Sequence, residues 1–456
     1  MDPKQTICTL RWDYPIINFG RSEARLCCRT PGKRISKEEI EKHGTNVFLN
    51  NDFQIERRLE MLKGIRHKDC ASCWKLEDNG MQSPRIPHSH ENFVYQMLER
   101  GVVSQEEASK YSDFSEWAKT VTIDHPVLKS YYPNMLEISL GNFCDMKCMY
   151  CNHHYSTQWA SEAIKYGEIR QDQYDREFPE GDPQYEELFW KWFNETGKHS
   201  LDRIGIIGGE PLIMPKFYEF IERLYDSYAD MPEKKKKVSL WIVTNLNTPK
   251  LYFEKFQQFM PRITEFFKLE IHASMESMGP QAEYIRNGVN WKRFESNVRS
   301  LLDSDYEMAF GFQMAVNALN IPHFKEYLMW IKSLHDTYDK PITLKQNVIS
   351  FPDWQSPLIL TPDFADYLDD TIIWLNSIKD EMKLVNDDFG QWSKYPEFLS
   401  GIANGIRNSR ADNEKRRKFY TWFKMYDQRR DINFLETFPH HTKFWELCKS
   451  LEENNQ

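Results

Sequence analysis

Cysteine is the residue type here most able to do chemistry, and eight of the nine cysteines fall in the first third of the chain. Cys144, Cys148 and Cys151 form a C-x3-C-x2-C run. Three thiolates on one loop suit three irons of a cubane cluster and leave the fourth iron open to an outside ligand. Structural zinc ordinarily takes four protein ligands, and only His153 and His154 lie near enough in sequence to complete such a set. A cluster that only carries electrons takes four cysteines. A second group comprises Cys8, Cys27, Cys28, Cys70 and Cys73. Four of these thiolates complete a closed zinc site or a fully ligated iron–sulfur cluster, with one of Cys27 and Cys28 left over. Composition does not choose between iron–sulfur, zinc and no metal. Cys448 stands alone and reads as a buried structural cysteine.

Elements must position these residues. From about residue 133, short β-rich runs appear at 135–140, 204–207, 238–243, 269–274, 308–316 and 342–348. Helical patterns fill stretches between them, at 185–196, 217–229 and 291–302. Strands separated by long crossovers are parallel. Six such units are too few for a closed eight-stranded barrel and suit a partial (β/α)6 barrel of the α/β class. The expected organisation is a cysteine-rich module over 1–90, a helical linker over 91–132, the barrel over 133–350 and a mostly helical region over 351–456. Several strands also carry polar residues at every second position. Glu270, His272 and Ser274 share a face, as do Thr343, Lys345 and Asn347, and Gln313 sits likewise on the fifth run. A packed barrel interior is mostly branched and apolar. His272, Gln313, Lys345 and Asn347 are therefore expected to line a substrate cavity. Lys345 there either anchors a substrate carboxylate or phosphate, or pairs with a neighbour on the wall.

Composition narrows the partners. With 59 Lys+Arg against 68 Asp+Glu, the net charge of -9 argues against coating nucleic acid. No apolar run approaches the ~20 residues that cross a bilayer, so no membrane partner is expected. Met1-Asp2-Pro3-Lys4-Gln5 lacks the apolar core of a signal peptide. The clustered thiols fit a reducing compartment better than a secreted disulfide framework. A cytoplasmic protein is expected.

The motifs together resemble a known family. The C-x3-C-x2-C after the first strand, with Tyr150 just before its last cysteine, resembles the signature of radical S-adenosylmethionine enzymes. Gly208-Gly209-Glu210-Pro211, ending the second strand, is similar to that family's Gly-Gly-Glu motif. The resemblance implies a [4Fe-4S] cluster on Cys144, Cys148 and Cys151 and a cofactor amino group held by Gly208, Gly209 and Glu210. It extends to Asn245 after the third strand, and to Ser274 and Glu276 at a ribose-contacting position, where Glu276 replaces Asp. Arg286 resembles an arginine that pairs with the cofactor carboxylate, and Asn317 completes the set. Cys70-x2-Cys73, Glu77, Gly80, Ser83 and Arg85 look like the string of twitch or SPASM segments, with Cys27-Cys28 as their upstream pair. Those segments carry auxiliary iron–sulfur clusters but ordinarily follow the barrel, whereas this one precedes it. The implied activity is reductive cleavage of S-adenosylmethionine to a 5′-deoxyadenosyl radical, then hydrogen abstraction from a polar substrate. That substrate is a peptide or protein, or a small polyol or amino-sugar, and the electron donor is a flavodoxin or ferredoxin. The net reaction would be an oxidation or cross-link of oxidoreductase or maturase type. The rival reading is an iron–sulfur or zinc-stabilised binding protein on a degenerate barrel.

Overall fold

The computed structural model describes residues 1–454 except 79–82, 89, 100, 112, 131, 179–181, 380, 382–391 and 411. The described residues form a mixed α/β protein with parallel strands. The strands are β1 (Pro15–Asn18), β2 (Glu23–Leu26), β3 (Lys33–Arg34), β4 (Met135–Ser139), β5 (Lys147–Cys148) and β6 (Arg203–Ile207). They continue with β7 (Ser239–Thr244), β8 (Lys268–Ser274), β9 (Arg286–Asn287), β10 (Met308–Val316) and β11 (Ile342–Val348). Five helices matter below: α1 (Asp52–Leu62), α2 (Thr157–Lys165), α3 (Trp291–Leu302), α4 (Phe324–Tyr338) and α5 (Asn413–Arg430).

The chain divides into two compact units. One comprises 1–142, 164–241 and 265–267; the other comprises 143–163, 242–264 and 268–456. In the first unit β4 and β6 pair in parallel, with Ile138 opposite Ile206. The cysteine-rich segment joins this pair rather than standing apart. β1 lies parallel to β4, with Ile16 opposite Glu137, and β2 and β3 follow antiparallel. Ile16 and Ile17 of β1 lie beside Leu136 and Ile138 of β4, and all four are buried.

Arg58 of α1 fixes the start of this unit. It is fully buried. Its guanidinium donates to the carbonyls of Arg11 at 2.9 Å, Leu49 at 2.8 Å and Leu128 at 2.7 Å, and to Asn50 Oδ1 at 3.0 Å. Burial, then the Arg11 charge, pulls its pKa down to about 9. The cation is tolerated because four acceptors replace its water.

In the second unit β8, β10 and β11 run parallel, with Phe310 opposite both Ile271 and Ile342. Ile271, Phe310, Phe312 and Leu344 are buried on one face. Phe312 meets Tyr327 and Trp330 of α4, with ring centroids 6.1 and 5.5 Å apart. Phe324, Tyr327, Leu328, Ile331 and Leu334 recur at helical spacing and are buried. α3 begins where the Asn290 side chain accepts from Arg293 N, and it buries Phe294, Val298 and Leu301.

Replacing Arg58 by Met leaves three buried carbonyls without this donor. We expect a loss of roughly 3 kcal/mol, read as a lower urea midpoint, and an unchanged midpoint would show the carbonyls to be satisfied otherwise.

Candidate functional site

The cysteine loop of the second unit has little regular structure of its own, so its shape comes from side chains elsewhere in the chain. Cys144 exchanges hydrogen bonds with Thr157 Oγ1, at 3.3 Å to its N–H and 3.1 Å to its carbonyl. Asp145 accepts from Asn245 Nδ2 at 3.0 Å. The Met146 carbonyl accepts from Ser156 Oγ at 2.6 Å. Lys147 and Cys148 form β5, which pairs antiparallel with β9 and sets Cys148 opposite Arg286. The Cys148 carbonyl accepts from Trp159 Nε1 of α2 at 2.9 Å. Met149 donates to the Ile285 carbonyl at 2.8 Å and accepts from Gln355 Nε2 at 2.9 Å. Tyr150 OH donates to Glu276 Oε1 at 3.0 Å, and Cys151 N–H turns back to the Cys148 carbonyl at 2.9 Å.

Arg286 and Glu276 form a buried ion pair behind the loop, with Nη2 2.7 Å from Oε2 and Nε 3.1 Å from both carboxylate oxygens. Arg286 Nη1 also lies 3.7 Å from Cys148 Sγ, and its guanidinium stands 5.5 Å from the Tyr150 ring centre. Asn320 Nδ2 donates to the Glu276 carbonyl at 3.2 Å. Gly288 has φ +109°, and a Cβ there would press on the Asp145 carbonyl at 3.0 Å, so only glycine lets β9 approach. α2 is itself fastened: Glu162 lies 2.8 Å from Lys147 Nζ and 2.9 Å from Arg430 Nη2 of α5. The three cysteines are half-buried. Burial, then Cys148, pushes the Cys151 thiol up to about 12. Burial also raises Cys148, with Arg286 opposing and Glu276 reinforcing the rise.

Among residues expected at the cofactor, Tyr150, Asn245, Glu276 and Arg286 all meet around this loop. Ser274 lies half-buried at the end of β8. Asn317 is fully buried and shapes a turn, donating to the Ala315 carbonyl at 2.8 Å and accepting from Leu319 N–H at 2.9 Å.

Gly208, Gly209 and Glu210 belong to the first unit. Gly208 has φ +90°, and a Cβ would collide with Ser139 Oγ and the Gly141 carbonyl. The backbone after β6 therefore lies flat against the end of β4. Gly209 also has positive φ, at +45°. Glu210 is buried and accepts from Leu212 N–H at 3.2 Å.

In the same unit Cys8, Cys27, Cys70 and Cys73 line one small cavity with Arg11, Arg29 and Arg85 among its other walls. Cys28 does not line it and is exposed. Cys27 has φ +83°. A non-glycine residue there costs about 1–3 kcal/mol and persists only where its surroundings dictate it. Burial pushes Cys8 up to about 12 and also raises Cys73. Arg11 Nη2 lies 3.8 Å from Cys70 Sγ. Arg85 clamps Glu77 through Nε at 3.0 Å and Nη2 at 2.5 Å, donates to the Ile7 carbonyl at 3.1 Å, and stacks 4.3 Å from the Trp74 ring centre. Ser83 Oγ donates to Glu77 as well. Glu77, Ser83 and Arg85 thus form one network beside Cys73; Gly80 lies outside the described residues.

His272, Gln313, Lys345 and Asn347 share the face of β8, β10 and β11 opposite Phe312, α3 and α4. Gln313 is paired with Lys345 and Ala315 with Asn347. His272 Nε2 lies 2.9 Å from Lys345 Nζ, and Glu270 Oε2 lies 3.5 Å from His272 and 3.9 Å from Lys345. Lys345 does have a wall neighbour, though its close contact is an imidazole. The bracing residues Trp159, Glu162, Gln355 and Arg430 were not foreseen. Gly311 and Gly288 carried a usable signal, since an isolated glycine in or beside a strand marks close approach.

No family model matches the chain, and no curated protein matches it. Among solved structures it is similar to anSMEcpe with bound AdoMet and a peptide, at 15% identity over 54% of this chain and 60% of that one, with a TM-score of 0.35. It is also similar to Streptococcus suis SuiB bound to its precursor peptide SuiA, at 13% identity over 64% and 61%, with a TM-score of 0.37. For Streptococcus suis SuiB described without a ligand, the values are 11% over 81% and 67%, with a TM-score of 0.39. The chain spans about 60% of the length of anSMEcpe. Among the described residues no helix is long and apolar enough to cross a membrane.

Glu276→Gln removes the charge that reinforces the rise in the Cys148 pKa. A lower thiol pKa means more thiolate at a fixed pH, so alkylation of metal-free protein by iodoacetamide at pH 8 should speed up at Cys148 by a few-fold. Slower labelling of Cys148, mapped by mass spectrometry, would contradict the assigned sign.

Proposed function

We propose that this protein is a radical S-adenosylmethionine enzyme acting on a polar substrate. The observation that carries the reading is the Cys144–Cys151 loop. Three thiols are presented on a backbone fixed by side chains from distant segments, and burial disfavours the bare thiolates of Cys148 and Cys151. Iron supplies the positive charge that such a set lacks, and three thiols leave one iron for an outside ligand. When bound, a [4Fe-4S] cluster of this kind delivers the electron that cleaves S-adenosylmethionine to methionine and a 5′-deoxyadenosyl radical.

The chain's own residues then bind, orient and exclude water. Arg286 places a cation beside Cys148 and offsets thiolate charge. The flat Gly208-Gly209 backbone offers carbonyls to an ammonium, and Glu210 adds a carboxylate. Cys8, Cys27, Cys70 and Cys73 fit a second, fully ligated iron–sulfur cluster, and Arg11, Arg29 and Arg85 suit its negative charge. Four thiolates around one cavity also satisfy zinc. The three arginines favour iron–sulfur, because they balance a site whose charge changes with redox state. The substrate is a peptide or protein, or a small polyol or amino-sugar, and a flavodoxin or ferredoxin supplies electrons.

Cys144→Ala, Cys148→Ala and Cys151→Ala should each lower bound iron and abolish 5′-deoxyadenosine formation after anaerobic reconstitution with reductant; cofactor cleavage surviving in all three would end the proposal. Glu210→Ala should weaken S-adenosylmethionine binding by about 1.5–3 kcal/mol, the scale of a charge-assisted hydrogen bond, with iron content unchanged.

At the second site, Cys27→Ser should lower metal content while Cys28→Ser leaves it intact. Metal content kept in Cys27→Ser but lost in Cys28→Ser, measured by elemental analysis, would refute the assignment of Cys27 as the ligand.

A further inference from the structure

Arg286 is set against Cys148 at both ends. Its backbone is the antiparallel partner of Cys148 in the β5–β9 pair. Residues directly opposite in such a pair send their side chains to the same side, so the Arg286 side chain starts on the side of the cysteine. Gly288 lets β9 come this close, since a Cβ there would meet the Asp145 carbonyl at 3.0 Å and Met146 Cα at 3.3 Å. At its far end the guanidinium divides its nitrogens between two partners. Nε and Nη2 hold the Glu276 carboxylate, at 2.7 Å for the shortest contact. Nη1 lies 3.7 Å from Cys148 Sγ. Arg286 is 6% exposed and Glu276 1%. The Tyr150 ring stands 5.5 Å from the guanidinium, and its hydroxyl donates to Glu276 Oε1 at 3.0 Å. Two positions of the cysteine loop, one buried cation and one buried anion therefore form a single closed circuit.

We propose that Arg286 sets the reduction potential of the iron–sulfur cluster on Cys144, Cys148 and Cys151, and that Glu276 is its opposing charge. The inference rests on the proposed function for the presence of that cluster. A guanidinium keeps its charge through any redox change. One-electron reduction makes the cluster more negative by one charge, while the flavodoxin or ferredoxin that supplies the electron is oxidised by one. A fixed cation beside a ligand sulfur therefore favours the reduced form, and burial limits the screening of its field. Hydrogen bonds to the sulfurs and local charge are levers that set cluster potentials. Glu276 pulls the other way, but it sits on the Nε–Nη2 edge, and Nη1 is the arm that meets sulfur. That same edge is the one that grips a carboxylate bidentately. A cofactor carboxylate that took it would evict Glu276, leaving a buried anion parted from its cation. The fork of Arg286 is thus engaged inside the protein, and its remaining arm acts on the cluster ligand.

The test is an anaerobic redox titration of the full reconstituted chain without S-adenosylmethionine, followed by electron paramagnetic resonance. The signal that Cys148→Ala abolishes identifies this cluster and separates it from a second one. Arg286→Met should lower the ratio of reduced to oxidised cluster at a fixed potential about tenfold, a fall of about 59 mV for one electron. Glu276→Gln should raise that ratio several-fold. Arg286→Lys, which keeps the charge, should lie between Arg286→Met and the unaltered protein. A pair that only braced the loop would shift both variants alike. Three results would overturn the proposal: an unchanged potential in Arg286→Met, a fall in Glu276→Gln, or an unaltered protein with no signal that depends on Cys148. Circular dichroism and iron content check each variant, and if Arg286→Met holds no cluster, Arg286→Lys and the Glu276→Gln arm decide. The potential is read without turnover. Unshifted potentials would sink this inference and leave 5′-deoxyadenosine formation standing, whereas a cluster that shifts as stated but cleaves no cofactor would sink the proposed enzyme and leave this inference standing.

Discussion

The cysteine loop depends on the pairing of Arg286 with Glu276. The Arg286 backbone is the strand partner of Cys148, its guanidinium is held by Glu276, and one arm reaches the Cys148 sulfur. Glu276 in turn receives the Tyr150 hydroxyl and is tied through its carbonyl to Asn320. One buried pair thus connects the end of β8, the β9 segment, the turn after β10 and two positions of the loop. Such a pair adds little net stability when intact, but removing one partner strands a buried charge and costs about 3–5 kcal/mol. Its value lies in geometry. The bidentate fork fixes direction as well as distance, and a loop with so little regular structure needs direction from outside.

Parts of this were legible in the sequence because they are local patterns. The spacing of Cys144, Cys148 and Cys151 and the alternation through 269–274 require only neighbouring residues. The polar face of β8 follows from a two-residue period, and the glycines at 208 and 209 announce a backbone that must lie close to something. The braces were not legible. Gln355 meets Met149 across 206 positions and Arg430 meets Glu162 across 268. Neither residue differs in type from an ordinary solvated side chain. Asn245 and Arg286 were singled out as cofactor contacts, and both touch the loop that carries the cysteines. β1, β2 and β3 also escaped, because strands of two to four residues are too short to display a period.

The first unit places a different demand on its chain. Cys8, Cys27 and the Cys70–Cys73 stretch come from three separated segments, and a strained backbone at Cys27 presents the second of them to the cavity. Arg85 gathers Glu77, Ser83, Trp74 and the Ile7 carbonyl, so the turn that presents Cys73 is tied back to the segment that presents Cys8. Arg58 does the same for the Arg11 segment. Buried arginines here act as rivets, Arg58 holding three carbonyls and Arg85 one carbonyl and a carboxylate.

The parallel pairing of β1 with β4 has a consequence for how this chain can be divided. A shortened chain beginning near residue 133 would keep β4 through β11 yet leave the β1-facing side of β4 bare. Its N–H and C=O groups, bordered by Leu136 and Ile138, would then offer a template for another copy of itself. Trimming the protein from its amino-terminal side therefore bares a strand edge as well as removing Arg58 and the cysteine cavity.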